Sequence, residues 1–310
     1  MTAPASTRIR IANAPCSWGV MGGFDPALFP PFVQVLDQIV ATGYEGTELG
    51  DWGYLPTEAA ALAEELRCRN LAMVGALVPL ALADAASHRR GLQTALRTAR
   101  LLAACATGGD SSGPFVILTD ANGADPARVQ HAGRIRPEQG LTPEQWRTFA
   151  RGAELVARAV LEESGLRTAF HHHCAGFVET PQETDTLLGL TDPALVGLCY
   201  DTGHYAYAGG DALEGLRRYG ERVWHVHFKD CYQEIAARAR REGWDYLRAV
   251  RNGVFYGLGG GDLDFAAMLH ELRRRDYRGW IVVEDELSPG MGDPLKSAQR
   301  DRDYLRRLGI

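Results

Sequence analysis

Nine histidines occur in the 310-residue chain, and six of them fall in three tight groups. His171, His172 and His173 are consecutive, His204 follows Asp201 by three residues, and His225 and His227 flank a single valine. Charged groups accompany them. Lys229 and Asp230 come just after His227, and Glu284, Asp285 and Glu286 close an apolar run. Imidazoles mixed with carboxylates suit Mn²⁺, Co²⁺, Fe²⁺ or Zn²⁺. A metal held by such a set polarises a substrate carbonyl and acidifies the adjacent C–H. The competing reading of the same residue types is a hydrogen-bonded His/Asp/Glu network with no metal. No G-x-S-x-G elbow and no Walker A run is present, so proton transfer beside a carbonyl fits better than nucleophilic or nucleotide chemistry.

Each group ends a short apolar run rich in β-branched or aromatic residues. Eight such runs are predicted as strands, over 8–14, 46–49, 72–77, 114–119, 167–173, 196–201, 223–227 and 280–284. Helical patterns alternate with them, over 28–41, 57–69, 88–105, 142–164, 213–219, 265–275 and 293–308. A further helix opens at the Thr180-Pro181 cap, with Glu183 completing a capping box. The alternation predicts an α/β fold, a single (β/α)8 TIM barrel spanning residues 1–310. A doubly wound sheet is the runner-up, but no GxGxxG follows the first strand.

In a parallel barrel the C-terminal strand ends converge on one face. Successive side chains alternate, so His171 and His173 share a side and His172 faces the other. His225 and His227 share a side, and Glu286 is in phase with Glu284 while Asp285 is not. The expected metal set is therefore Asp201, His227 and Glu284, completed by His171 or His173 from strand five. Glu48, Asp120, Lys229 and Asp230 also sit at strand ends, and Trp18, Trp52 and Tyr54 follow the first two strands. The long connections 120–141 and 231–261, the latter with one helix over 233–251, are expected over the C-terminal face as lids or substrate walls.

Composition narrows the class. With 45% hydrophobic residues the chain can build a core. A net charge of −6 without a basic block argues against a nucleic-acid partner. No apolar run of about 18 residues is present, so no membrane partner is expected. The first ten residues lack a secretory h-region, and the six scattered cysteines read as reduced thiols, which together predict a cytoplasmic protein. A homo-oligomer is expected on general grounds only.

The motifs FHHHCAGFVET at 170–180, YDTGHYAYAG at 200–209, HVHFKDCYQEI at 225–235, AVRNGVF at 249–255 and YRGWIVVEDE at 277–286 are similar to those of a known family. In this order they resemble the xylose-isomerase-like TIM-barrel superfamily of sugar isomerases and epimerases, and within it the inosose dehydratase group. The first half matches more loosely, through APCSWG and GTELG. The resemblance implies one divalent metal held from strands five to eight, by Asp201, His227, Glu284 and a fourth ligand. The superfamily's strand-five Glu falls at His171, with His173 or Glu179 as replacements. It also implies a small-molecule keto-cyclitol or sugar as substrate, with Mn²⁺ or Co²⁺ expected ahead of Zn²⁺. The implied reaction is loss of water from a keto-cyclitol such as 2-keto-myo-inositol. Glu284, His171 or His204 would take the α-proton, the metal and Lys229 would hold the enolate, and His225 or a protonated Glu48 would help the β-hydroxyl leave. The alternative is a metal-dependent isomerase or epimerase, disfavoured by the missing strand-five Glu. An apurinic-site endonuclease on the same barrel would need more ligands in the first four strands and a basic face. A catalytically inert sugar-binding barrel would bind no metal. The chain departs from the familiar dehydratases at Ser17-Trp18-Gly19-Val20 after strand one and in the GDWGYLPT segment at 50–57 after strand two, so the resemblance fixes the reaction class more firmly than the substrate.

Overall fold

Short β-branched runs buried on both sides can only be strands of a covered parallel sheet. In the computed structural model, which describes residues 9–106, 113–288 and 290–310, they close into a barrel. The strands are β1 (Arg10–Asn13), β2 (Gly46–Glu48), β3 (Ala72–Leu80), β4 (Phe115–Asp120), β5 (Thr168–His171), β6 (Val196–Asp201), β7 (Val223–Phe228) and β8 (Trp280–Val283). They pair in sequence order, all parallel, and β8 returns to β1 through Arg10↔Trp280 to Asn13↔Val283. The expected (β/α)8 barrel is the observed fold. Arg8, the first residue of the expected first strand, and the N-terminal segment 1–7 lie outside the described residues.

Helices surround the barrel: α1 (Phe32–Thr42), α2 (Ala59–Arg69), α3 (His88–Cys105), α4 (Pro126–His131), α5 (Pro143–Ser164), α6 (Pro181–Leu190), α7 (Thr202–Tyr207), α8 (Ala212–Tyr219), α9 (Gln233–Glu242), α10 (Tyr246–Arg251), α11 (Phe265–Arg274) and α12 (Pro294–Arg307). Each longer helix buries one stripe. On α5, Phe149, Ala153, Val156 and Val160 recur at helical spacing and are all buried. The capping boxes at Thr142/Gln145 and Thr180/Glu183 start α5 and α6. No helix among the described residues is long and apolar enough to cross a membrane. All six cysteines carry free thiols.

Several boundaries differ from the sequence reading, each for a local reason. The helix expected over 28–41 begins only at Phe32, because Pro30 and Pro31 force extended backbone before it. The helix expected to be capped by Thr57 begins at Ala59 after Glu58, which has extended backbone. The single helix expected over 233–251 is two. Gly243 terminates α9 in the left-handed conformation (φ 66°), and Asp245 caps α10 by accepting from the Arg248 N–H. Strand β3 runs three residues past Leu77, since Val78, Pro79 and Leu80 stay in register with Leu118, Thr119 and Asp120. The 120–141 connection contains α4, capped by Asp125. Buried Arg128 of α4 forms a bidentate pair with Glu183 and donates to the Gly176 carbonyl, tying that connection to the one after β5.

The 252–261 segment is tied down by two carboxylates. Asp285 accepts from the Gly257 N–H and the Ser297 hydroxyl, and Asp301 of α12 accepts from the Leu258 N–H. Burial and then the adjacent Asp285 charge raise the pKa of Asp301 above the usual aspartate range. An unfolded aspartate ionises near pH ~4. The fold therefore holds a proton that the unfolded chain has lost, and stability falls as pH climbs above that value. Asp301→Asn should lose less stability than the wild type between about pH 4 and 8, by on the order of 2 kcal/mol in urea titrations. Parallel losses in the two proteins would show that Asp301 holds no such proton.

Candidate active site

Strand register brings the polar groups to one level. Thr119 of β4, His171 of β5, Cys199 of β6 and His225 of β7 are successive neighbours around the barrel, and Asp201 pairs with His227 one step above. The alternation holds as expected. His171 and His173 both line a cavity of about 450 Å3 at the strand C-termini, while His172 turns outward against Tyr200 and Tyr205. Glu48, His227, Lys229, Glu284 and Glu286 line the same cavity. Residues of both long connections also reach it, including Asn122 and Val129 from one and Tyr246, Leu247 and Val250 from the other.

His171, Asp201, His227 and Glu284 each offer a donor atom, all within 4.8 Å of one another. His171 Nε2 lies 3.6 Å from Asp201 Oδ2, and His227 Nδ1 lies 3.8 Å from that oxygen and 3.4 Å from Glu284 Oε2. Beneath them Glu48 Oε1 is 2.8 Å from His225 Nε2 and 3.0 Å from His227 Nε2. Glu48 thus engages one nitrogen of His227 and leaves Nδ1 aimed at the cluster, as carboxylates behind metal-ligating histidines do. Burial works against the Glu48 charge, but His227 and His225 outweigh it and hold the carboxyl below the usual range. Glu48 is therefore an ionised acceptor, not the protonated acid that the resemblance implied.

Lys229 Nζ reaches over the cluster, 2.9 Å from Glu284 Oε2, 3.1 Å from Glu286 Oε1 and 3.7 Å from Asp201 Oδ2. Burial opposes its charge, and Glu284, Glu286 and Asp201 outweigh that, so it stays an ammonium ion. The Asp-Thr-Gly-His run explains its placement. Thr202 Oγ1 donates to the Lys229 carbonyl and accepts from its N–H, and a β-carbon at Gly203 would collide with the Lys229 chain at 2.6 Å. Glu286 Oε2 accepts from the Tyr246 hydroxyl. Burial lowers the pKa of His171 and His173, and holds His204 near about 3, so these imidazoles are neutral.

The donor set fits a divalent ion. Asp201 Oδ2 and His227 Nδ1 are buried without hydrogen-bond partners. Among the described residues, four carboxylates, Glu48, Asp201, Glu284 and Glu286, gather around one ammonium group and the His225 and His227 imidazoles, and crowded buried carboxylates of this kind are stabilised by a bound cation. A second group, His173, His204 and Glu286, borders the first.

Other expected residues lie elsewhere. His225 is fully buried beside Glu48, and His204 packs behind His173 and Glu286; neither lines the cavity, so neither is placed to act on substrate directly. Glu179 accepts the Gly133 and Ala175 N–H groups, away from the cluster. Asp120 accepts from the Phe177 N–H, and Asp230 gathers the N–H groups of Cys231, Gly259, Gly261 and Leu263. Trp18 bonds Gln38, Trp52 stacks with Arg97 and Tyr54 packs on Phe29, all outside the cavity wall. Tyr246 was missed, since nothing in its local pattern marks it. Glu286 was signalled only by its phase with Glu284.

The closed barrel with this donor set at its strand ends is one that the sequence comparisons assign to a family. Residues 36–308 match the model of the xylose isomerase-like TIM barrel, and the chain belongs to that family. It is 33% identical over 304 residues to an inosose dehydratase of Geobacillus kaustophilus, covering 96% of this chain and 94% of that protein. Identity to an inosose dehydratase of Lactiplantibacillus plantarum is 32% over 274 residues, covering 88% and 87%. Among solved structures it is similar to a 3-keto-D-glucoside 4-epimerase from E. coli, with TM-score 0.66 and 18% identity over 97% of this chain and 99% of that one. At that identity the likeness is one of fold.

Glu48 serves two buried imidazoles at once. Glu48→Ala should strand both and cost about 3 kcal/mol in chemical denaturation. An unchanged midpoint would mean that water replaces the carboxylate.

Proposed function

We propose that the chain is a hydro-lyase acting on a keto-cyclitol of the inosose type, and that it depends on a divalent metal held by His171, Asp201, His227 and Glu284. The observation that carries this reading is the four-donor cluster opening onto a cavity that also presents Lys229, in a chain whose relatives are inosose dehydratases. A bound divalent ion supplies Lewis acidity toward the substrate carbonyl, a role that Mn²⁺ or Co²⁺ suits and Zn²⁺ also fills.

The protein groups then divide the work. The Lys229 ammonium faces the oxygen that becomes negative as the α-proton leaves, and its charge is already fixed there by Glu284 and Glu286. Lys229 takes up Glu284 Oε2, which leaves Glu284 Oε1 to accept the α-proton. The same oxygen returns that proton to the departing β-hydroxyl, which leaves as water. His173 Nδ1 is engaged by the Cys174 carbonyl at 2.5 Å, so its Nε2 accepts a hydrogen bond from a ring hydroxyl. Glu48 and His225 orient His227 from below. The walls from 120–141 and 231–261 shield the enolate from bulk water.

Proton NMR of scyllo-inosose in D₂O tests the reading, using chelator-stripped protein with and without added Mn²⁺ or Co²⁺. Metal-dependent formation of the dehydrated dione is the expected result. Deuterium uptake at the α-carbon without loss of water would instead favour an isomerase or epimerase. Asp201→Ala and His227→Ala should abolish both Co²⁺ binding and turnover, and full activity in either would sink the metal assignment. Lys229→Met should lower kcat about 10²–10³-fold with Co²⁺ binding retained.

A further inference from the structure

The cavity has two chemically different halves. Its charged half comes from β2, β5, β7 and β8 and contains Glu48, His171, His227, Lys229 and Glu284. The other half is largely apolar and is built from Met21 and Phe24 after β1, Leu77 and Pro79 of β3, and Leu247 and Val250 of α10, with Asp51 after β2 and Thr119 and Asn122 at the end of β4 flanking β3. In the closed strand order β3 stands opposite β7, which carries His227 and leads into Lys229. Leu77 lies between buried Ala76 and Val78, yet it is 36% exposed, because its side chain faces the open cavity. The segment after β1 and helix α10 meet above it, where a β-carbon at Gly23 would stand 3.8 Å from Leu247 Cδ2.

A ring hydroxylated at every carbon makes poor use of this half. Each hydroxyl turned toward Leu77 or Leu247 gives up water without gaining a partner. An apolar group placed there gains by burial and takes nothing from the charged half. Apolar side chains left open inside a cavity, contiguous with the reacting groups, mark where such a group binds.

We propose that the substrate ring carries an ether-linked alkyl or aryl substituent on the side remote from Lys229, seated against Leu77, Met21 and Leu247. The inference rests on the dehydratase reading for the ring and adds the substituent. The substituted ring keeps its carbonyl and one hydroxyl for the charged half, so the elimination itself is unchanged.

The test compares scyllo-inosose with its mono-O-benzyl ether at the carbon opposite the carbonyl. Binding is measured by calorimetry on the metal-loaded protein and turnover by NMR. The ether should bind at least about tenfold more tightly and be dehydrated with a higher kcat/KM. Leu77→Thr and, independently, Leu247→Gln should each lower the ether-to-parent ratio of affinities by about tenfold. Two sites on different elements are used so that misfolding of one variant leaves the other to decide. If the parent is dehydrated and the ether binds no more tightly, the substituent is overturned and the dehydratase reading survives. If neither ring loses water but the ether still binds tenfold more tightly through Leu77 and Leu247, the dehydratase reading fails and the apolar subsite stands.

Discussion

Buried negative charge is the constraint around which this barrel is organised. Glu48, Asp201, Glu284 and Glu286 converge at one end of the barrel, and Lys229 is the ammonium among them. Carboxylates at such spacing repel one another in a medium that screens poorly. The fold tolerates them because each finds a specific partner: imidazole nitrogens for Glu48, the ammonium for Glu284 and Glu286, and the tyrosine hydroxyl for Glu286. Asp201 Oδ2 is buried without a hydrogen-bond partner, with Lys229 Nζ at 3.7 Å. The same imbalance that strains the fold prepares it for a cation.

Much of the surrounding structure serves that arrangement. The Thr202 hydroxyl fixes the Lys229 backbone at both its N–H and its carbonyl, and Gly203 gives room for the lysine chain. Asp230 gathers four backbone N–H groups to hold the 259–263 segment, while Asp285 and Asp301 hold its approach at Gly257 and Leu258. Phe255, on the same segment, packs edge-on against His204 and accepts from the Glu286 N–H through its carbonyl. Carboxylates that look catalytic by position are thus divided between those that face the cavity and those that brace the loops around it.

Solved structures with this fold include a 3-keto-D-glucoside 4-epimerase, and the curated relatives are inosose dehydratases, so fold alone does not select a reaction. Selection lies in side chains at the strand ends and in the walls above them. A histidine in β5, at the level of the cluster, changes both the charge and the proton-accepting capacity of the site relative to a carboxylate there. The walls from β1, β3 and α10 differ in character from the charged floor, and they set what portion of a substrate is desolvated without a partner.

Much was legible in the sequence alone. Period-two alternation put His171 and His173 on one face and His172 on the other, because strand pleating is a local property of the backbone. Apolar runs alternating with capped helices specified the barrel, and the barrel rule sent every strand end to one face. Distances across that face were not legible. Glu48 meets His225 and His227 across a separation of about 180 residues, and only closure of the sheet brings them together. The same closure left His225 beneath the floor and His204 behind His173, although by type and position both resembled groups that touch substrate. Tyr246 reached the site because Gly243 broke one expected helix into two and turned α10 over the mouth. Residue type and phase are written locally, whereas depth and partner depend on long-range packing, and that packing is decided only when the barrel closes.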